Sequence, residues 1–570
     1  MIKNIKAVLF DLGGVVLPQP QKAIAAYGRN LGLPPSFLPK VFTSGVPNNS
    51  FCKLETGVYT TTEFYKMFEK EANQIALDIG LTLPVEFSAE KLFHSFQSAE
   101  NQNSDIVKMA YLDVISAAVK LQKNGIKTCI LTNNWISDKE PEKGRAEHFM
   151  LQLKFYFGEV VQSSHINLRK PDPLIYLHAC NKLGVRPQET AFLDDIGLNL
   201  KAAQKLGISC IKVVEPMQAV KDLEKLTGLS LCHTAGDCLF PPPCKPNNMS
   251  HCYAKVSADT TLHYIDAGEG PVVILLHGFP DTWYGWRHQI PALVCAGYRV
   301  IVPDQRGYGD SISSTNMDDY NHKQLCSDIL NLMDVIGVAQ ATVVGHDWGG
   351  SIAWALALVY PNRFNGVCGV NTPFYPINPK QSPLVSMQKN PGVFDYQLYF
   401  MEPGNADREF ESDIKRSISI MFQAFDSKLT LKASDVRKRG GMFVGAPPNI
   451  KPGRFLTDEE LNYYVQQFEK SGFTGPLNWY RNYELTWNWL RHFAGRKISI
   501  PALMVTASHD VILKPRYTEG MENRIHKLDR LHIKNCSHWT GQECPDQLND
   551  GLIKWLKSIH TNESAPNSRL

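Results

Sequence analysis

The chain has 570 residues, which is too long for one ordinary hydrophobic core, so about two to four domains are expected. Hydrophobic residues make up 43% of it and charged residues 20%, a balance typical of globular proteins and not of disordered chains. A net charge of +3 without a long basic run gives no reason to expect nucleic acid or an anionic membrane as a partner. No apolar run approaches the ~18 residues that a transmembrane helix needs.

The first residues, 1–10, lack the apolar segment of a signal peptide and run directly into a predicted strand. Thirteen thinly spread cysteines fit reduced thiols better than a disulfide framework. Both observations predict a cytoplasmic protein. The chain ends Ser568-Arg569-Leu570, which is similar to the Ser-Lys-Leu peroxisomal address, so peroxisomes and their import receptor form a second hypothesis.

Residues 1–230 alternate predicted strands with helical patterns, which indicates a parallel, doubly wound sheet with its site at the carboxyl ends of the strands. Polar residues stand at those ends, namely Asp11, Thr132, Asn133, Asp194 and Asp195. In this order, and with a lysine in the segment 168–173, the set resembles the haloacid dehalogenase-like phosphatases. The resemblance implies a Rossmann-like domain with a helical cap over residues 16–110. It assigns nucleophile or phosphate-binding roles to Asp11, Thr132, Asn133 and Lys170.

One position departs from the family pattern. Gly13 lies two residues after Asp11, where the family carries a second Asp that protonates the leaving oxygen and later activates water. Losing that group predicts a rate lower by about 10²–10⁴. The resemblance still implies a Mg²⁺ site, with carboxylates from Asp11 and Asp195 and the main-chain carbonyl of Gly13. Two hypotheses stay open for this half, a weak phosphatase restricted to good leaving groups or a phosphatase fold kept as a structural or dimerising domain.

Residues 231–250 form a predicted linker, because three consecutive prolines favour an extended, semi-rigid chain. A second series of apolar strands with intervening helical patterns covers 251–562 and again predicts a mostly parallel α/β sheet. Its rhythm breaks over 372–490 into an aromatic-rich insertion, which we interpret as a helical lid. Residues 563–570 read as a polar tail.

The motif Gly345-His346-Asp347-Trp348-Gly349 follows a buried strand and opens a helix. Small residues two positions before and after a polar residue allow the sharp turn of a nucleophile elbow. The nucleophile would be Asp347 instead of the usual Ser. A carboxylate displaces a leaving group from carbon and forms an alkyl ester, so the residue type decides the chemistry.

The rest of a hydrolase site appears in the expected order. His277-Gly-Phe279-Pro stands where α/β-hydrolases place an oxyanion-hole loop, so the main-chain N–H groups of Phe279 and Trp348 are predicted to form that hole. Asp510 and then His538 follow two later strands, which completes the chain order of nucleophile, acid and histidine.

An Asp nucleophile in this fold suits either epoxide opening or dehalogenation. Dehalogenation needs Trp or Asn N–H donors for the departing halide, whereas epoxide opening needs acidic O–H donors on the oxirane oxygen. The lid segments 393–400 and 475–482 contain Tyr396 and Tyr480, which favours epoxides.

With these residues in place, nearly the whole chain resembles the two-domain soluble epoxide hydrolases of the mammalian type. The resemblance implies an α/β-hydrolase domain with Asp347 as nucleophile, Tyr396 and Tyr480 as proton donors, and Asp510 with His538 as the charge-relay pair. It also implies hydrolysis of lipophilic, fatty-acid-type epoxides to vicinal diols, no cofactor for that reaction, and an antiparallel homodimer. Two alternatives remain, a phosphatase acting mainly through Asp11 on lipid phosphates, and an N-terminal half that serves only to assemble the hydrolase.

Overall fold

The computed structural model describes residues 4–102, 109–140, 142–234, 236–237, 239–429 and 432–560. The chain folds into two compact units, Met1–Pro242 and Pro243–Leu570. Their boundary lies inside the predicted linker. Ser568-Arg569-Leu570, the predicted peroxisomal address, lies outside the described residues together with the rest of the tail.

The first unit is built on a five-stranded parallel sheet in the order β3-β2-β1-β4-β5. The strands are β1 Ala7–Phe10, β2 Lys127–Thr132, β3 Glu159–Gln162, β4 Thr190–Asp194 and β5 Ser209–Lys212. The central strands β1 and β4 are buried along their whole length, since helices cover both faces of a parallel sheet. β1 pairs with both β2 and β4, so the ends of these three strands meet at one edge.

Helices of the first unit fall into a cap and a sheet-covering set. The cap helices are Gln21–Asn30, Phe37–Thr43, Ser50–Glu55, Thr61–Asp78 and Ala89–Gln102. They share an apolar cluster of their own, with Phe37, Phe64 and Phe68 at its centre. The remaining helices are Leu112–Lys123, Glu142–Phe157, Ser163–Ile166, Pro173–Leu183, Gly197–Lys205 and Pro216–Thr227.

The second unit contains an eight-stranded sheet in the order β13-β12-β11-β10-β8-β9-β7-β6. Its strands are β6 His251–Lys255, β7 Thr261–Ala267, β8 Val272–Leu276, β9 Arg299–Pro303, β10 Ala341–His346, β11 Phe364–Val370, β12 Ala502–Ala507 and β13 Leu528–Ile533. β7 runs antiparallel to both β6 and β9, and the other pairs are parallel. The buried β10 lies between β8 and β11, which brings the carboxyl ends of these strands together.

The sheet of the second unit is accompanied by the helices Gln289–Cys295, His322–Val335, Trp348–Val359, Thr540–Glu543 and Pro545–His560. Between β11 and β12 the chain forms the predicted lid. Its helices are Pro383–Lys389, Asp395–Met401, Asn405–Glu411, Ile414–Met421, Val436–Arg439, Asp458–Ser471, Thr474–Arg481 and Tyr483–Leu490. Among the helices of the described residues, none combines the length and the apolar character that crossing a bilayer requires.

Candidate active site

Asp347 occupies a strained turn between β10 and the helix Trp348–Val359. Its backbone angles are φ 51° and ψ −121°, a region that residues with a side chain rarely adopt. Two glycines make the turn possible, because a Cβ at Gly345 would lie 2.1 Å from the carbonyl oxygen of Gly349, and a Cβ at Gly349 would lie 2.2 Å from that of Leu276. The turn therefore holds the carboxylate above the carboxyl edge of the sheet, as the motif predicts.

The two carboxylate oxygens of Asp347 face different groups. Oδ1 accepts a hydrogen bond of 2.9 Å from the main-chain N–H of Phe279, and the main-chain N–H of Trp348 also bonds to this carboxylate. Oδ2 lies 3.6 Å from Nε2 of His538. The structure thus brings the predicted oxyanion-hole donors and the predicted histidine onto one carboxylate.

His538 is held by Asp510, whose Oδ2 lies 2.9 Å from Nδ1 of the ring. The carboxylate of Asp510 also accepts from the main-chain N–H groups of Ile512 and Leu513 and from Nδ2 of Asn371 at 2.7 Å. A buried carboxylate with this many donors stays ionised, and it fixes the ring so that Nε2 points at Asp347.

The pKa values of the site follow from burial and these contacts. Burial on its own lowers the pKa of His538, but the charges of Asp510 and Asp347 outweigh it and raise that pKa to about 9. Burial raises the pKa of Asp347, opposed by the positive charge of His538. Burial also raises the pKa of Asp510, but the bonds and charge of His538 reverse this and lower it to about 2. The charges of the two carboxylates therefore favour the imidazolium form of His538.

Both predicted lid tyrosines reach this region. The rings of Tyr396 and Tyr480 lie 6.2 Å apart, and the Tyr480 ring packs edge-on against Trp348 and Phe279 at 4.9 and 5.3 Å. Burial, reinforced by the negative charge of Asp347, raises the pKa of each phenol well above its usual value. Both therefore remain protonated O–H donors.

Tyr483 and Gln397 form a hydrogen-bond chain to the Tyr396 hydroxyl. Tyr483 donates from Oη to Oε1 of Gln397 at 2.7 Å, and Gln397 donates from Nε2 to Oη of Tyr396 at 3.0 Å. In this arrangement the amide oxygen faces Tyr483 and the amide nitrogen faces Tyr396. The Tyr396 oxygen then accepts one hydrogen bond, and its proton remains to be donated to another group.

Asp347 opens into a cavity of about 570 Å³. Its wall is mostly aromatic and aliphatic, and includes Trp348, Phe374, Tyr375, Phe394, Tyr396 and Leu513. A cavity of this volume and character accommodates an extended apolar ligand.

The first unit brings a second group of charged residues together. Lys170 Nζ lies 2.5 Å from Oδ1 of Asp11 and 3.0 Å from Oδ2 of Asp194, all at the carboxyl edge of the sheet. Asn133 bonds to the main chain of Lys170 through both ends of its amide, at 2.8 and 3.1 Å. The amide of Asn133 thus positions the lysine loop in this structure, while the Thr132 hydroxyl lies 3.4 Å from the carbonyl of Asn133.

This second group has an oxygen-rich donor set suited to Mg²⁺. Ligand atoms of Asp11, Asp194 and Asp195 lie within 4.8 Å of one another, and carboxylate oxygens are the ligands that Mg²⁺ prefers. Asp195 currently accepts a hydrogen bond of 2.8 Å from Nε2 of Gln19. At Gly13 the backbone leaves room for a side chain, since an added Cβ would meet nothing closer than Cδ of Pro20 at 3.5 Å.

Comparison with known proteins agrees with the division of the chain into two units. Residues 5–207 match the family model of the haloacid dehalogenase-like hydrolases, and residues 271–542 match that of the alpha/beta hydrolase fold. Over 559 residues the chain is 41% identical to the bifunctional epoxide hydrolase 2 of Sus scrofa, with 98% of each chain aligned. The chain belongs to the bifunctional epoxide hydrolase family. The predicted family, the two-domain α/β fold and the predicted enzyme class are thereby confirmed.

Other relatives cover either nearly the whole chain or its second half. The bifunctional epoxide hydrolase 2 of Rattus norvegicus is 38% identical over 561 residues, which is 98% of this chain and 99% of that one. The crystal structure of epoxide hydrolase A from Mycobacterium thermoresistibile is 36% identical with a TM-score of 0.50, and covers 54% of this chain and 98% of its own. An epoxide hydrolase structure from Vigna radiata, 31% identical with a TM-score of 0.51, covers 55% and 99%.

Three residues of the hydrolase site are not among those predicted from the sequence, namely Asn371, Gln397 and Tyr483. Asn371 stands directly after β11, and the rule that site residues collect at the carboxyl ends of parallel strands could have identified it. Gln397 and Tyr483 are separated by 86 residues, and no sequence signal connects them.

Proposed function

We propose that the second unit hydrolyses epoxides to vicinal diols through a covalent alkyl ester of Asp347. The proposal rests on the groups that surround the carboxylate of Asp347. Two main-chain N–H groups and an imidazole hold it, and two protonated phenols lie near it. These are the nucleophile, oxyanion donors, base and acids that the reaction needs.

In the first step, Oδ2 of Asp347 attacks an oxirane carbon. Oδ1 is already bonded to the N–H of Phe279, so it becomes the carbonyl oxygen of the ester. Tyr396 and Tyr480 donate hydrogen bonds to the oxirane oxygen, and one of them transfers its proton as the C–O bond breaks. The bond from Gln397 stabilises the Tyr396 phenolate if Tyr396 is that donor.

In the second step, His538 removes a proton from water, which attacks the ester carbonyl. The resulting oxyanion forms on Oδ1, which already accepts from the N–H of Phe279. As it collapses, the bond between the acyl carbon and the substrate oxygen breaks, and the imidazolium of His538 protonates that leaving oxygen to release the diol. The proton left on the regenerated Asp347 carboxyl group returns to the phenolate. Ester formation removes the negative charge of Asp347, which is one of the charges that raise the pKa of His538. The alkylation step therefore converts the histidine into a better base for the hydrolysis step.

The cavity favours an epoxide over a haloalkane. Trp354, Trp479 and Trp487 line it, and each donates its indole N–H to a main-chain carbonyl at 2.8 to 3.0 Å. Those three donors are therefore not available to a departing halide, and the side chain of Trp348, the fourth tryptophan of the lining, hydrogen-bonds to Tyr480. The phenol protons of Tyr396 and Tyr480 are the donors that we assign to the oxirane oxygen. The apolar wall supports the prediction of a lipophilic, fatty-acid-type epoxide. No cofactor takes part in these steps.

For the first unit we propose a phosphatase site that binds Mg²⁺ through Asp11, Asp195 and the carbonyl of Gly13 and turns over only good leaving groups. Lys170, at 2.5 Å from Asp11, supplies positive charge for a phosphate oxygen. Gly13 provides no proton donor for a poor leaving group. Mg²⁺, when bound, would neutralise phosphate charge beside the nucleophile.

The homodimer and the peroxisomal address stay predictions. Sedimentation of the full chain tests the first, and it contradicts the prediction if only a monomer is found. Import of a reporter carrying residues 561–570, compared with one lacking Ser568-Arg569-Leu570, tests the second.

Diol formation from a long-chain epoxide tests the hydrolase proposal. We expect the wild type to form diol and Asp347→Asn to form none above background. His538→Gln should gain the mass of the substrate, because its ester accumulates without being hydrolysed to diol. Chloride release from a haloalkane, combined with full activity after both Tyr396→Phe and Tyr480→Phe, would instead identify a dehalogenase.

A further inference from the structure

Three polar side chains form a cluster on the otherwise apolar wall of the hydrolase cavity. His322, Ser351 and Thr486 all line it. Nε2 of His322 lies 2.9 Å from Oγ of Ser351, and Nδ1 lies 3.3 Å from Oγ1 of Thr486. Oγ1 of Thr486 also accepts a hydrogen bond of 3.1 Å from the main-chain N–H of His322. The proposed hydrolysis steps use none of these residues.

One hydroxyl of this cluster retains a proton that it can donate in a hydrogen bond to a ligand. Burial lowers the pKa of His322 to about 4, so its ring is neutral and has one donor and one acceptor nitrogen. In either tautomer, one of the two hydroxyls donates to the ring, while the other accepts from it and keeps its proton. Within the described part of the chain, neither hydroxyl bonds to a carbonyl of its own helix.

The cluster stands at a defined distance from the nucleophile. Ser351 lies one helical turn after Asp347, and its main-chain N–H donates to the carbonyl of Asp347 at 3.2 Å. One helical turn advances the backbone by about 5.4 Å, which corresponds to about four or five bonds of an extended ligand chain. A substrate alkylating Asp347 would pass this point.

The charge of the cavity restricts what can bind there. No lysine or arginine of the described residues lines it, and Asp347 is its one acidic residue among them. A carboxylate at this depth would be buried without a counter-ion, which is costly. An uncharged ligand oxygen costs less free energy to desolvate than a carboxylate does. It can accept a hydrogen bond from whichever hydroxyl, that of Ser351 or Thr486, retains its proton.

We propose that His322, Ser351 and Thr486 form a subsite for an uncharged hydroxyl or carbonyl oxygen of the substrate, about four or five bonds from the oxirane carbon that Asp347 attacks. The subsite rests on the proposed function, because it orients an epoxide in that reaction. It makes the enzyme selective for epoxides that carry a second oxygen over plain epoxyalkanes.

Three substrates test the subsite: a straight-chain terminal epoxyalkane, the same epoxide with a hydroxyl on the fourth carbon beyond the oxirane, and the analogue with a carboxylate there. The measured quantity is the selectivity ratio, which is the kcat/KM of the hydroxy-epoxide divided by the kcat/KM of the plain epoxide. We expect this ratio to be about fivefold higher in the wild type than in the double variant Ser351→Ala, Thr486→Val, because the double variant loses one hydrogen bond to the substrate. The carboxylate analogue should be the poorest substrate of the wild type.

Ser386→Ala is the matched control, because Ser386 lines the same cavity but has no histidine as a hydrogen-bond partner among the described residues. It should keep the wild-type ratio, and Ser351→Ala alone serves if the double variant does not fold. Equal ratios in the wild type and in the subsite variants would overturn the subsite, and so would a preference for the carboxylate analogue. Absence of diol from every substrate in the wild type would instead refute the proposed function, so the two failures can be distinguished.

Discussion

Gln397→Glu tests how the lid directs the proton of Tyr396. The substitution keeps the shape of the side chain but replaces the amide nitrogen, 3.0 Å from Oη of Tyr396, with an acceptor oxygen. Hydrogen bonds to a carboxylate are about twice as strong as neutral ones, so the Tyr396 proton turns from the oxirane oxygen to the introduced carboxylate. Tyr483, which donates to Oε1 of Gln397 at 2.7 Å, is satisfied by either side chain.

The size of the effect follows from the number of donors lost. Removing one preorganised donor to a developing oxyanion costs about 10²–10³ in rate, so Gln397→Glu should lower kcat by about 100-fold. Gln397→Met removes only the bond that Tyr396 accepts and should cost about fivefold. Lowering the pH protonates the introduced carboxylate and should restore part of the activity of Gln397→Glu, while leaving the Gln397→Met deficit in place.

The assay is steady-state diol formation between pH 6 and 9, repeated in a Tyr396→Phe background. If Gln397 acts through Tyr396, adding Gln397→Glu to Tyr396→Phe should lower kcat by only a few-fold more, because the two substitutions remove the same donor. Full additivity of the two effects, or an equal loss in Gln397→Glu and Gln397→Met, would refute this role of Gln397.

Three further predictions concern the nucleophile turn, the histidine and the first unit. Gly349→Ala should prevent folding of the second unit, because the added Cβ would lie 2.2 Å from the carbonyl oxygen of Leu276; thermal unfolding matching the wild type would contradict this. The pKa of His538, followed by NMR, should be about 9 in the wild type. It should be lower in Asp347→Asn, because the negative charge of Asp347 is one of the charges that raise it. The same pKa in both proteins would contradict this argument. Gly13→Asp should raise aryl phosphate turnover with Mg²⁺ by about 10²–10⁴, since the site has room for a side chain that restores the acid–base group. Gly13→Asn is the control without acid–base function. Equal gains in the two variants would contradict the acid–base role assigned to this position.

The strands and the motif order were predictable because they depend on local pattern. β1, β10 and β12 are buried runs of apolar residues, and each ends next to a polar residue at the carboxyl edge of its sheet. β3 and β6 were not predicted, because they lack such a continuous apolar pattern. β3 is Glu159-Val-Val-Gln162 and is mostly half-buried, and β6 is an edge strand with alternating exposure, so neither forms a continuous apolar run.

In the hydrolase site, too, features that depend on neighbouring residues were predictable, and contacts between distant helices were not. Gly345, Asp347 and Gly349 are neighbours in sequence, so the turn that they require could be derived from their spacing. The contact between Gln397 and Tyr483 joins two lid helices, and it exists only because those helices pack together. Likewise, the cluster of His322 with Ser351 depends on how two helices meet, which residue spacing does not determine.

Isotope labelling tests the central claim, the ester of Asp347, most directly. In a single turnover in ¹⁸O-water with excess enzyme, water attacks the ester carbonyl, so the label should enter the Asp347 carboxylate while the diol receives its new oxygen from the protein. Mass spectrometry of the peptide containing Gly345–Gly349 and of the diol measures both. A labelled diol with an unlabelled Asp347 would contradict the covalent route and show direct attack of water on the epoxide.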